Sequence, residues 1–229
     1  MAGHGWDRYR KEFSNYLTLE RSLSKNSIEA YIHDVTLLQQ YLEISRLNLA
    51  PAALTTKHLQ GFLQYINELG MSAHSQARIL SGIKGFFKYL MAEELIDKDP
   101  TTLIEGPRLG RKLPDTLSYD EIVQLLEAID LSTPEGGRNR AMLEILYSSG
   151  LRVSELVELK RANVYFDLGF LRVVGKGNKE RLVPIGKDAM KYLRIYLEEI
   201  RVHVPVQKGF EHFVFLNKSG KKLSRVSVF

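Results

Sequence analysis

Four side chains combine the types and spacing for chemistry on an anion: Arg152, Glu155, Lys176 and Arg181. Arg152 and Glu155 lie in Ser148-Ser149-Gly150-Leu151-Arg152-Val153-Ser154-Glu155-Leu156, which reads as a turn feeding a helix. Gly150 supplies the corner, and Val153, Leu156 and Val157 give one apolar face at helical spacing. Arg152 therefore falls at a helix start, where unpaired backbone N–H groups favour negative charge. Downstream, the alternating segments near 170–174 and 181–185 read as two strands around Gly175-Lys176-Gly177-Asn178-Lys179-Glu180-Arg181. That hairpin presents Lys176, Lys179 and Arg181 on a basic, glycine-containing tip.

Residue spacing alone leaves ordinary roles open for each. Arg152 and Glu155 are three positions apart and suit a surface ion pair, and Lys176 suits an exposed turn. Gly175-x-Gly177 is no dinucleotide loop, because Glu180 stands where the third glycine belongs. A Gly-Lys-Ser/Thr phosphate loop is absent from the sequence, and His203 and His212 lack ligand-like spacing.

Two strings resolve this ambiguity: Gly150-Leu151-Arg152-Val153-Ser154-Glu155-Leu156 and Gly175-Lys176-Gly177-Asn178-Lys179-Glu180-Arg181-Leu182-Val183-Pro184. In composition, order and separation (176 − 152 = 24 positions) they resemble the tyrosine recombinase, or phage integrase, family, and most closely its Xer-type bacterial members. The resemblance implies phosphodiester transfer through a 3′-phosphotyrosyl bond, with no metal and no other cofactor. It implies Arg152 and Lys176 as catalytic residues. Glu155 is then an orienting neighbour, and Lys179 and Arg181 are contacts to the DNA backbone. These residue types suit the reaction. A planar guanidinium binds two phosphoryl oxygens at once and stays charged, and a lysine can deliver a proton to the leaving 5′ oxygen.

The elements that must position these groups follow from apolar periodicity. Helices are expected at 6–20, 25–44, 55–69 and 72–95, each with an apolar face and a polar break before the next. Leu23 to Tyr31 and Ala77 to Phe87 resemble the family's N-terminal core-binding domain, which implies double-stranded DNA as partner and Lys25, Arg78 and Lys84 at its phosphates. Residues 99–114 read as a basic linker through Asp99-Pro100, Gly106-Pro107 and Gly110, with Arg111 placed to lie along a phosphate backbone. Beyond it come a capped helix at 118–129, a loop at 133–137, a helix at 138–148, and then the Arg152 turn and hairpin. A helix at 187–202, a strand at 213–216 and a helix start at Ser224 complete the reading. The expected fold is mainly α with a small antiparallel sheet. It comprises a helical, SAM-like core-binding domain over 1–98, the linker at 99–114, and an incomplete α+β catalytic domain of the DNA breaking-rejoining type over 115–229.

Composition bounds the rest. The net charge of +5 is uneven, since residues 1–107 carry 11 Lys/Arg and 12 Asp/Glu and residues 108–229 carry 21 and 15. A basic second half fits a polyanion partner. Zero cysteines exclude disulfides and thiolate metal sites, and fit a cytoplasmic protein. There is no secretory pattern and no apolar run long enough to span a bilayer. The family also requires a His-x-x-Arg pair, a further His or Trp, and a nucleophilic Tyr. None of His4, His33, His58, His74, His203 and His212 has an arginine three positions on. The resemblance thus implies the N-terminal two-thirds of a catalytic domain, truncated before its nucleophile. A tetramer on DNA is expected for a full-length member, and a monomer for this chain alone.

Overall fold

A computed structural model describes residues 3–110, 114–175, 177 and 179–228. The chain forms two compact units, 1–113 and 114–229, each with its own apolar core. Among the described residues no helix is long and apolar enough to cross a membrane.

The first unit holds α1 (Gly3–Leu19), α2 (Lys25–Ile44), α3 (Thr56–Glu68) and α4 (Ala73–Ala92). Ser24 and Ser72 cap α2 and α4, their hydroxyls accepting from the N–H groups of Ser27 and Ser75. Phe13, Phe62, Phe86 and Phe87 are fully buried, each worth roughly 2–3 kcal/mol of transfer energy. Met91, expected inward, is half exposed, and Tyr89 fills the core beside Phe13 instead. The segment after α4 stays packed on this unit as far as Ile104, which is buried. Lys84 donates to the Ile104 carbonyl (2.7 Å), and Thr56 to that of Pro100 (2.9 Å). The linker expected from residue 99 is therefore anchored over its first third.

The second unit begins with α5 (Tyr119–Glu127). Ser118 and Glu121 form the expected reciprocal cap, the Ser118 N–H donating to Glu121 Oε2 at 2.7 Å. Only Leu126 of its apolar face is buried, and Leu125 is half exposed. Helix α6 (Pro134–Ser149) starts four residues before the expected 138. Pro134 takes the first-turn position that needs no N–H, and Thr133 Oγ1 accepts from the Gly136 N–H at 3.0 Å, so the supposed loop is a capped turn. The five-residue α7 (Val153–Val157) follows.

An antiparallel sheet comes next, in the order β1 (Val164–Tyr165), β2 (Phe170–Val174), β3 (Glu180–Pro184). Leu171 and Val173 of β2 point into the core, and Arg181 pairs with Val173 across the hairpin. Helix α8 (Lys187–Ile195) continues through a π-turn (Tyr196–Ile200) and a 3-10 turn (Arg201–His203).

The expected strand at 213–216 is buried extended chain with only isolated bridges, Lys160 to Phe213 and Leu216 to Lys222. The buried Arg201 guanidinium explains this. It donates to the carbonyls of Glu211, Phe213 and Val214 and so occupies acceptors that a strand ladder would need. The helix expected at Ser224 is a single 3-10 turn, Val226–Val228.

Candidate active site

The site is built where α6 ends. Gly150 closes that helix in the left-handed conformation (φ 58°), which a side chain would strain. Leu151 then anchors the chain in the core, and Arg152 follows in extended backbone as the residue before α7. With five residues, α7 is too short to supply the helix-dipole anion site that the sequence reading expected. The groups at this corner are organised by a carboxylate instead.

Glu155 is that carboxylate, with its side chain 4% exposed. Its Oε2 accepts from the Arg152 N–H (2.8 Å) and from Arg181 Nη2 (2.9 Å). Its Oε1 accepts from Arg152 Nη1 (3.0 Å) and Arg181 Nη1 (2.8 Å). Four donors match the acceptor capacity of an ionised carboxylate. The paired Arg181 guanidinium, opposed by burial and helped by both Arg152 contacts, pulls the carboxyl down to about 2. Glu155 thus joins an arginine on the α6–α7 corner to an arginine on β3.

The two arginines are held differently. Arg181 places both terminal nitrogens on Glu155 and is 40% exposed. Arg152 places only Nη1 there and is 71% exposed. Among the described residues, Arg152 Nε and Nη2 have no partner. The exposed guanidinium borders a cleft of about 280 Å³ lined by Arg152, Ser154, Glu155, Glu158, Val174 and Gly175. A Cβ on Gly175 would lie 3.1 Å from Arg181 Nη1 and 3.4 Å from Glu155 Oε1, so glycine lets the root of the hairpin tip approach the ion pair. The Gly175 N–H donates to the Lys179 carbonyl at 2.8 Å and closes the tip, with Lys179 exposed. Lys176, the other expected catalytic residue, lies outside the described residues, as does Arg111.

The first unit treats its expected DNA contacts unequally. Lys25 is exposed, with Glu29 at 3.9 Å. Arg78 is committed to Asp34 through Nη1–Oδ2 (3.0 Å) and Nη2–Oδ1 (2.6 Å). Lys84 is tied to Ile104. Arg78 and Lys84 are six residues apart on α4, roughly 240° around its axis, and do not share a face. The free basic cluster needed for a phosphate-binding face is therefore reduced to Lys25 and Lys88, which is exposed.

Two functional features escaped the sequence reading. Asp34 is buried under Arg78, and its signal was a carboxylate in register with Tyr31 and Leu38 on an apolar stripe. The other is the contact of Arg181 with Glu155, which a separation of 26 positions hides. Among the described residues, no group of three or more His, Asp or Glu could hold a metal ion.

Comparison with known proteins bears on this geometry. Residues 115–229 match the phage integrase family, and residues 11–94 match its N-terminal SAM-like domain. The tyrosine recombinase XerD of Listeria monocytogenes serotype 4b (strain F2365) is 40% identical over 215 residues, covering 94% of this chain and 72% of that protein. XerD of Staphylococcus saprophyticus is 40% identical over 222 residues, covering 97% and 75%. Among solved structures, a lambda integrase tetramer bound to a Holliday junction shares the fold at 21% identity and TM-score 0.72, over 98% of this chain and 60% of that one. The XerH site-specific recombinase bound to a palindromic difH substrate shares it at 22% identity and TM-score 0.69, over 95% and 64%.

Proposed function

Since the chain belongs to the phage integrase family of tyrosine recombinases, we propose that it acts in site-specific DNA recombination, binding duplex DNA and supplying Arg152 to the scissile phosphate. The observation that carries this is the monodentate hold of Glu155 on Arg152, which leaves two nitrogens of an exposed guanidinium without a partner among the described residues. A phosphoryl group gathers charge on its non-bridging oxygens as it is transferred, and preorganised donors stabilise that charge where water is excluded. Glu155 preorganises the fork, because a carboxylate held near a pKa of 2 stays charged throughout the working pH range.

Lys176 is assigned the proton delivered to the leaving 5′ oxygen, and Lys179 a backbone phosphate. The attacking group is a tyrosine that leaves a 3′-phosphotyrosyl bond, as the family's chemistry implies. Lambda integrase, which shares the fold, forms a dimer bound to a core site and a tetramer bound to a Holliday junction, and this supports an assembly on DNA for this chain too.

A second reading keeps the DNA binding and drops the chemistry: a catalytically silent competitor or regulator. One experiment separates the two. The chain is fused to a family C-terminal segment carrying His-x-x-Arg and the tyrosine, then incubated with a nicked recombination site and run on a denaturing gel. A covalent protein–DNA adduct that disappears with Arg152→Ala supports the first reading. Equal adduct from the Arg152→Ala fusion removes Arg152 from the chemistry, and no adduct from the parent fusion leaves the silent reading.

A further inference from the structure

We infer that Arg181 is a positioning residue for Arg152, acting through Glu155, and does not itself bind a phosphate. The inference rests on the reading of Arg152 as the phosphate-binding arginine and reassigns its neighbour on β3.

Three observations carry it. First, donor geometry separates the two arginines. A guanidinium has two edges of parallel N–H groups, and Arg181 has given its Nη1–Nη2 edge to Glu155, which leaves it only a side edge that shares Nη2 with that pair. Arg152 has spent one terminal nitrogen. Second, the acceptor is shared and saturated. Both arginines meet at Oε1, at 2.8 and 3.0 Å, so any change at Arg181 alters what Oε1 offers Arg152. Without Arg181, the buried carboxylate has one guanidinium left to neutralise it, and a second Arg152 nitrogen turns inward from the cleft. Third, the backbone accommodates the contact. Gly175 brings the root of the tip within van der Waals reach of both Arg181 Nη1 and Glu155 Oε1. Arg181 also lies on the strand that leads out of that tip. Glu155 therefore links the tip that carries Lys176 to the corner that carries Arg152.

The test uses the 229-residue chain, with two readouts on the same variants. One is the slope of log affinity against log salt for a random-sequence duplex. A protein loses about 0.9 of slope for each phosphate contact removed. The other is the Arg152 Nε–Hε nuclear magnetic resonance signal, identified by its loss in Arg152→Lys. Expected for Arg181→Ala is a displaced Arg152 signal and, on an Arg152→Ala background, an unchanged slope. Arg181→Lys should leave the signal displaced, because an ammonium cannot reproduce the two parallel bonds. In the double variant with Glu155→Gln, the signal should move no further than with Glu155→Gln alone.

An Arg152 signal unmoved by Arg181→Ala overturns the inference, and so does a slope lowered by a further amount of about 0.9 when Arg181→Ala is added to Arg152→Ala. If Arg181→Ala unfolds, Arg181→Gln provides the same two readouts with a side chain that keeps one bond to Glu155. Failure of the parent chain to bind DNA sinks the proposed function instead, and the Arg152 signal still decides the coupling.

Discussion

Asp34 in the first unit and Glu155 in the second are both buried carboxylates beneath arginine, and the two arrangements do different work. In the first, Asp34 (2% exposed side chain) meets a single guanidinium, that of Arg78, and burial outweighs the pairing, so its carboxyl is pushed up. In the second, Glu155 meets two guanidinium groups and a backbone N–H, and pairing outweighs burial, so its carboxyl is pulled down to about 2. Arg78 makes a bidentate pair with Asp34, which joins α2 to α4. The Glu155 cluster contains two cations for one anion and holds the second by one bond. A one-to-one bidentate pair locks helices together, whereas a two-to-one cluster leaves positive charge with unused donors. The difference separates a structural ion pair from the proposed phosphate site more directly than counting basic residues does.

The largest effect should come from the glycines beneath the two carboxylates. A Cβ at Gly82 would sit 2.1 Å from Asp34 Oδ2 in a fully packed interior. Gly82→Ala should therefore cost about 3 kcal/mol in urea unfolding. At Gly175 the nearest atom, at 3.1 Å, is the far end of the flexible Arg181 side chain. Gly175→Ala should cost about 1 kcal/mol at most. Equal costs would erase the contrast.

Next in size are the arginines. Arg78→Ala strands a buried carboxylate and should destabilise by about 3 kcal/mol, while Arg181→Ala leaves Glu155 with Arg152 and should cost about 1 kcal/mol, both by chemical denaturation.

The smallest effect is in pH, and its sign differs between the sites. Glu155 has a folded pKa below its ordinary 4.5, so its contribution is present above pH 4.5 and is lost as pH falls toward about 2. Asp34 has a folded pKa above its ordinary 3.8, so its ionisation weakens folding as pH rises past 3.8. Stability against pH for Glu155→Gln should accordingly flatten the acid limb, whereas Asp34→Asn should steepen it.

Much of this architecture was legible because local physics and tertiary packing agree. The 25–44 helix and the Ser118–Glu121 box are short-range features, and the structure has both. The errors arose where a distant residue decides. One exception is local: Gly136 and Gly137 read as loop, although Pro134 and Thr133 cap them into α6. Phe213 to Leu216 has strand composition, but Arg201 takes its carbonyls. Arg152 and Glu155 were visible as a pair through their three-residue spacing. Arg181 was visible only as a charge, because its partner lies 26 positions away across the hairpin. Arg78 and Lys84 looked free in sequence, where a helix-surface cation and one already committed to Asp34 or to Ile104 cannot be told apart.

The central claim is that the Arg152 guanidinium is available to a DNA phosphate, and that Arg78 is spent within the protein. Salt dependence of duplex binding by the intact chain, compared between Arg152→Ala and Arg78→Ala, tests it directly. The account predicts that Arg152→Ala lowers the slope of log affinity against log salt by about 0.9, one phosphate's worth, and that Arg78→Ala leaves the slope of the folded protein unchanged. A slope lowered by Arg78→Ala and untouched by Arg152→Ala would contradict it.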